Sequence, residues 1–363
     1  MKKQTGPTKN DLLIAQKSLE HTPTERLARL CEQAEKADEE INVSPRVELH
    51  NRDCIAGMAD MPESSVDVVV TSIPFEELFT YSGKPEDVGN NGSTIDIRAG
   101  RFALNLRFMI EQAFRVLRPG CNFCCHIQQL LSYKVQHGFM GRRDFRGAMV
   151  EVFGAGGFHF TGEFVIPKNP QSMAQRLNLH SLQFKTGYAR NGCMLNPAVN
   201  DYVLIFHKPG EHPHPPKPLR HPSNPTGWID SDEWVRDASG IWTDIMEIDV
   251  LDGCRGHKED KHEKHVCPLQ LEVIRRLINL YTNPISIQPD VTVLDPFMGI
   301  GSTAYVAVRG RSPMTKLKLD EPRNVVGFEL KESYHKASLD YVAVAQGQND
   351  KVDADLFGEI VHG

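Results

Sequence analysis

The chain has 363 residues and a formal net charge of −6, long enough to bury a sizeable core in one large α/β domain with an inserted module. The negative balance excludes a protein that coats nucleic acid by bulk charge, although a local basic cleft acts through its own potential. No apolar run approaches the ~20 residues that cross a bilayer. No apolar signal segment follows Met1-Lys2-Lys3, and eight cysteines lie scattered without a framework, so a cytoplasmic protein without a membrane partner is expected.

Residues 1–46 are polar and helix-prone, with Leu12, Leu13, Ala15 and Leu19 at helical spacing, which predicts an extension packed on the core. Residues 47–208 alternate strands and helices. Within them Ser65-Val66-Asp67-Val68-Val69-Val70-Thr71 reads as a buried strand that runs into Ser72-Ile73-Pro74-Phe75. A small polar residue, a proline and an aromatic at a strand's carboxyl end make a rigid, partly exposed corner. Phe79, Tyr81 and Lys84 follow in a loop expected to close over a substrate as a lid. Cys121, Cys124 and Cys125 sit on an apolar strand, where buried inert thiols are expected. Basic residues gather in three groups: Lys134, His137, Arg142, Arg143 and Arg146; Lys168, Arg176, Lys185 and Arg190; Lys208, Lys217, Arg220 and His221. Together they suggest a phosphate-binding cleft.

The character changes at 209–264. Seven prolines between Pro209 and Pro225 preclude regular structure in the first part of this insert. Cys254, His257, His262, His265 and Cys267 have metal-ligand chemistry but no common finger spacing, so no metal is expected there. Residues 265–345 return to an α/β pattern. Val291-Thr292-Val293-Leu294 is a buried strand, and Asp295-Pro296-Phe297-Met298-Gly299-Ile300-Gly301 is a turn. A helix opens at Ser302-Thr303. Glycines at 299 and 301 let the backbone close on a nucleotide-like ligand at the carboxyl edge of a parallel sheet. The spacing is neither the three-glycine dinucleotide pattern nor a P-loop. Asn324-Val325-Val326-Gly327-Phe328-Glu329 is a second strand, and its terminal acid can accept ribose hydroxyls. Residues 346–363 are expected to be a peripheral tail.

Two motifs carry a family resemblance: the corner Ser72-Ile73-Pro74-Phe75 and the turn Asp295-Pro296-Phe297-Met298-Gly299-Ile300-Gly301-Ser302-Thr303. The chain resembles the amino-methyltransferases of DNA, whose catalytic tetrapeptide is Asp/Asn/Ser-Pro-Pro-Tyr/Phe and whose cofactor turn is Asp-Pro-Phe-x-Gly-x-Gly-Thr/Ser-Thr. With the corner first and the turn last, the order is similar to the permuted β-type subgroup. The likeness runs from about residue 47 to 343, taking in His50-Asn51-Arg52-Asp53-Cys54, the helix ending in Leu117-Arg118-Pro119-Gly120, and Tyr202 to Lys208. It implies a doubly wound, mostly parallel, circularly permuted Rossmann-like sheet with a small target-recognition region inserted at 209–264. Tyr133 to Arg146 and Asn169 to Asn196 are expected to share in that recognition.

The resemblance implies S-adenosylmethionine as cofactor and double-stranded DNA as partner, with adenine N6 or cytosine N4 as acceptor; serine at the first corner position leans towards cytosine N4. Ser72 Oγ and the Ile73 carbonyl would hold the amine hydrogens, Pro74 would fix the corner, and Phe75 would stack on a base taken out of the duplex. Phe297, Gly299 and Gly301 fall to the methionine-side turn of the cofactor site, which also takes in Ser302, with Glu329 at the ribose hydroxyls and Asp53 near the adenine or the methionyl end. Asp295 would organise the turn, with Pro268 and Leu269 lining the same pocket. Ile73 departs from the family's first proline, so packing must hold the corner. An RNA base methyltransferase, a silent DNA-binding relative and a nucleotide-dependent enzyme of another α/β class are the alternatives. A homodimer, a separate restriction endonuclease and a bacterial or phage source are further expectations of the resemblance.

Overall fold

The computed structural model describes residues 22, 25, 27–30, 43–74, 100–132, 134–139, 141–170, 197–251 and 268–347. The first motif strands are short, β-branched and buried on both faces, as strands covered by helices on each side must be. β1 (Val47–His50) leads into α1 (Cys54–Ala59) and β2 (Val66–Ser72). α2 (Gly100–Val116) runs directly into β3 (Leu117–Gln128). A small ribbon follows, β4 (Leu130–Ser132) and β5 (Gly141–Arg143) around α3 (Lys134–His137). Next come α4 (Phe145–Ala155), β6 (His159–Ile166) and β7 (Asp201–His207). The last part holds α5 (Ser231–Asp237), α6 (Leu271–Tyr281), β8 (Thr292–Asp295), α7 (Ser302–Ala307), β9 (Asn324–Phe328) and α8 (Glu332–Ala345).

Seven of the strands form one sheet in the order β1-β9-β8-β2-β3-β7-β6. The first five pair in parallel, while β7 runs antiparallel to both β3 and β6. From β8 the chain winds outward to β9; from β2 it winds the other way to β3. The reversal therefore falls between β8 and β2, and in open α/β sheets a ligand sits outside the carboxyl ends of the strands at such a point. The corner and the glycine turn are those two carboxyl ends. This is the Rossmann-like, permuted arrangement expected from the motif order; the reversed β7 is the detail that expectation lacked.

Two cores hold the helices to the sheet. Val68, Val70, Val293 and Val325 face α6, α7 and α8, while Val66, Val69, Leu294 and Val326 face α1, α2 and α4. Of the amino-terminal extension, Leu27 and Leu30 pack on Leu317; Leu12 to Leu19 lie outside the described residues. The proline-rich stretch forms turns with isolated bridges, and Trp228 and Ile229 anchor it in the core. Its continuation is bolted to α6 by buried charges. Glu272 accepts from Arg275 Nε at 2.8 Å, Arg276 Nε at 3.0 Å and Arg236, while Asp237 accepts from Arg236 Nε at 2.9 Å and Arg275 Nη2 at 3.1 Å and Asp244 from Arg276 Nη2 at 2.7 Å. Arg276 also lies over the ring of Trp242, which stacks on Phe164 at 4.2 Å. Among the described residues no helix is long and apolar enough to cross a membrane.

Candidate active site

The two motifs, more than 200 residues apart in sequence, meet through one carboxylate. Asp295 ends β8 and is fully buried. Thr71 Oγ1 donates to its Oδ1 at 2.6 Å, Thr303 Oγ1 to its Oδ2 at 2.6 Å, and the Phe297 amide to Oδ1 at 3.0 Å. One side chain thus ties the corner strand, the turn and the first residues of α7. Burial pushes its carboxyl up to about 6, against the opposing pull of Thr303, Thr71 and the Phe297 amide. Because the folded chain then holds a proton that the unfolded chain has released, stability falls as pH rises from about 4 through 6. A displacement of about two units corresponds to roughly 3 kcal/mol. Replacing Asp295 with asparagine is therefore expected to flatten the pH dependence of urea-unfolding stability between pH 4.5 and 6.5 by about one proton's worth; an unchanged slope would assign it to Asp249 or Glu233, which burial raises to about 6 and about 7.

The turn itself has one glycine that faces open space and one that does not. Gly299 is left-handed at φ +56°, and a Cβ built on it meets nothing within 4 Å. Gly301, at φ +93°, would set a Cβ 2.6 Å from that of Ser338 on α8, so its lack of a side chain serves helix packing. Glu329 follows β9 and reaches back to the turn: its Oε2 accepts from the Gly299 amide at 2.9 Å and its Oε1 from the Lys331 amide at 2.7 Å. Asp53 caps α1 through the Ala56 amide at 2.7 Å. It lies at the same sheet edge, because Asn51 donates to the Glu329 carbonyl and the Glu329 amide to the His50 carbonyl. Phe297 is half-buried beside the core of the corner face, and Ser302 opens α7 nearly buried. Pro268 and Leu269 precede α6.

At the corner, Ile73 is fully buried, and its amide donates to the His126 carbonyl at 3.2 Å, adding one rung to the β2–β3 ladder. A proline could not make that bond. Packing was the support expected for Ile73; the ladder bond is a second one. Pro74 is buried behind it. Ser72 lies opposite His126 in register, with Oγ 2.9 Å from His126 Nδ1. On the far side His126 Nε2 is 3.3 Å from Asp201 Oδ2, which Lys168 Nζ meets at 2.6 Å, and Gln128 donates to Asp201 Oδ1 at 2.8 Å. Burial pushes the Asp201 carboxyl up, but His126 and Lys168 outweigh it and hold it below the usual carboxylate range. This array was absent from the sequence reading. Its members sit on β3, at the start of β7 and just beyond β6, and no local spacing links them. Phe75, the lid residues Phe79, Tyr81 and Lys84, and the Cys254 to Cys267 group lie outside the described residues.

The described members of the three basic groups are not a uniform cleft lining, and Arg176, Lys185 and Arg190 lie outside the described residues. Lys168 is turned inward to Asp201, Lys208 donates to the Phe114 and Leu117 carbonyls at 2.6 Å, and Arg146 pairs with Glu163. Arg142 is held by the Pro197 carbonyl. At the opposite end of the sheet Asp67, Cys121 and His212 bring ligand-type atoms within 4.8 Å of one another. Both Asp67 oxygens already accept, from Gln288 and the Thr292 amide, and Arg118 stands 3.4 Å away, so this cluster reads as part of the scaffold. Burial raises the Cys121, Cys124 and Cys125 thiols, in keeping with the inert role expected of them.

Comparison with known proteins agrees with this arrangement. The Type II methyltransferase M.MjaI of Methanocaldococcus jannaschii is 27% identical over 307 residues, spanning 80% of this chain and 89% of that protein. Among solved structures, a candidate DNA modification methylase of Thermus thermophilus, complexed with S-adenosyl-L-methionine, superposes with a TM-score of 0.54. It is 20% identical and covers 83% of this chain and 95% of its own. Its selenomethionine derivative gives 0.53 at 21% identity, with 83% and 96% covered. At these identities the structures speak for the fold. The family model described as DNA methylase, of the N6/N4 type, matches residues 66–340. With the corner and the turn at its two ends, that match covers most of the chain, which belongs to the N6/N4 DNA methylase family.

Proposed function

We propose that the protein transfers a methyl group from S-adenosylmethionine to the exocyclic amine of a base in double-stranded DNA, cytosine N4 in preference to adenine N6. The observation that carries this reading is the Asp295 tie, which sets the Ser72 corner and the Gly299 turn side by side at the switch point. The residues present suit the cofactor. Gly299 faces open space at the turn, the Glu329 carboxylate lies against the turn through the Gly299 amide, and Phe297, Ser302 and Asp53 stand at the same edge. Gly301 would contribute by its backbone alone. When bound, S-adenosylmethionine supplies an electrophilic methyl group on a sulfonium, so the chain's task is chiefly to position the amine.

An exocyclic amine is a poor nucleophile because its lone pair is delocalised into the ring. Ser72 Oγ and the Ile73 carbonyl would accept its two hydrogens and turn the lone pair out of the ring plane, with Pro74 and Phe75 fixing the base. The paired amine inside a duplex is out of reach, so the base is taken as flipped out. The silent reading rested on Ile73, and the extra rung to His126 gives that residue a rigid seat. The kinship to a Type II methyltransferase favours a modification role beside a separate restriction endonuclease.

The test is transfer from labelled S-adenosylmethionine to unmethylated duplex DNA, followed by nucleoside mass spectrometry. An N4-methylcytidine product is expected, reduced about 10³-fold or more in Ser72→Ala. An N6-methyladenosine product would reassign the base, and label appearing in RNA alone would overturn the DNA reading.

A further inference from the structure

We propose that His126, backed by Asp201 and Lys168, positions the Ser72 hydroxyl and takes up the proton that the methylated amine must lose. The inference rests on the reading under Proposed function and adds to it the question of where that proton goes. The geometry fixes a direction. Asp201 is ionised and can only accept, so the imidazole hydrogen belongs on Nε2, which faces it at 3.3 Å. Nδ1 is then the acceptor, and Ser72 Oγ, 2.9 Å away, must donate to it. With its hydrogen committed to His126, Ser72 Oγ presents lone pairs to the amine.

Two donors hold the Asp201 carboxylate, and the His126 ring faces it. Lys168 Nζ lies at 2.6 Å, Gln128 Nε2 at 2.8 Å and His126 Nε2 at 3.3 Å. The titratable and charged groups facing His126 in this array are Asp201 from β7 and Lys168 from beyond β6. An ammonium nine-tenths buried has no role on a DNA-facing surface, but it does keep a carboxylate in place and ionised. The Ile73 rung fixes the His126 backbone from the other strand.

The balance closes without another reactant. The bond from sulfur to methyl carbon breaks with its electron pair left on sulfur, and the nitrogen lone pair forms the new bond to carbon. The nitrogen then carries one proton too many. That proton passes to Ser72 Oγ as the Ser72 hydrogen moves to His126 Nδ1, leaving a neutral methylated amine and an imidazolium beside Asp201. Release of the proton to solvent resets the array. By this assignment His126 acts through Ser72 and is a positioning residue.

Two measurements test it. In the protein without cofactor or DNA, ¹⁵N-histidine spectra are expected to show His126 as the Nε2–H tautomer, its Nδ1 signal moving in Ser72→Ala while Nε2 stays; His126→Asn identifies the resonances. The Nδ1–H tautomer, or an Nδ1 signal indifferent to Ser72→Ala, would overturn the proposal. In turnover, His126→Asn is expected to lower kcat about 10²-fold with KM for DNA and for S-adenosylmethionine within twofold. The Ser72→Ala, His126→Asn double variant should be no slower than Ser72→Ala alone. A kcat within threefold of wild type, or losses that multiply, would sink the idea. Should the wild type transfer no methyl group, the proposed function fails, and the tautomer still decides the His126 assignment.

Discussion

Gly299→Asp is expected to lower the affinity for S-adenosylmethionine by two orders of magnitude or more, about 3 kcal/mol, and to leave the fold intact. A Cβ at this position meets nothing within 4 Å, and its φ of +56° is one that aspartate tolerates better than most residues. The new carboxylate would stand where the turn opens, close to Glu329, whose Oε2 already accepts from the Gly299 amide. Titration calorimetry with the cofactor reads the loss, and a thermal melt within a few degrees of wild type certifies the fold. Gly301→Ala is the contrasting control. Its Cβ would enter contact at 2.6 Å with Ser338, so it should cost about 2 kcal/mol of stability through overpacking. Cofactor binding retained by Gly299→Asp would remove the turn from the cofactor assignment.

Glu272→Ala costs about 3 kcal/mol or more of unfolding free energy, because it removes the acceptor shared by three buried guanidinium groups. Arg236, Arg275 and Arg276 are 3%, 3% and 0% exposed. Burial pushes the Glu272 carboxyl up, yet these three cations outweigh it and hold it far below the ordinary glutamate range. The same residue supports the insert, since Arg236 on α5 and Asp249 both bond to Glu272 at the start of α6. Urea unfolding checks the magnitude. A loss below about 1 kcal/mol would mean that Asp237, Asp244 and Glu233 take over its partners.

The frame was legible where chemistry is local. β2 and β8 are runs of β-branched residues that end in a proline corner and a glycine turn, and both appear where the pattern puts them. Asp295 was read as an organiser of its turn because an acid closing a strand above two backbone-exposing glycines has amides within reach, and its Oδ1 accepts from the Phe297 amide. Its reach to Thr71 was not legible, since pairing of β2 with β8 joins residues 224 apart. The same applies to His126, Asp201 and Lys168. A lysine in a loop reads as solvated, and only the antiparallel β7 brings Asp201 beneath it. For this reason the basic-cleft argument counted two members, Lys168 and Lys208, whose donors are spent inside the protein. The insert was read as a proline-rich recognition region, and what that reading did not contain is its seating: Trp228, Trp242 and the Glu272 network hold much of it on α6.

The rung between the Ile73 amide and the His126 carbonyl bears on how this sequence can change over time. Proline, the residue usual at this place in the family, would delete the donor and leave the His126 carbonyl to find another partner inside the sheet, at a cost of about 1–3 kcal/mol. The constraint falls on proline alone, since every other residue at 73 keeps the backbone amide that makes the rung. Apolar replacements at 73 should therefore arise singly, whereas proline there becomes tolerable only once the backbone of the strand beside it has shifted to give the His126 carbonyl another donor.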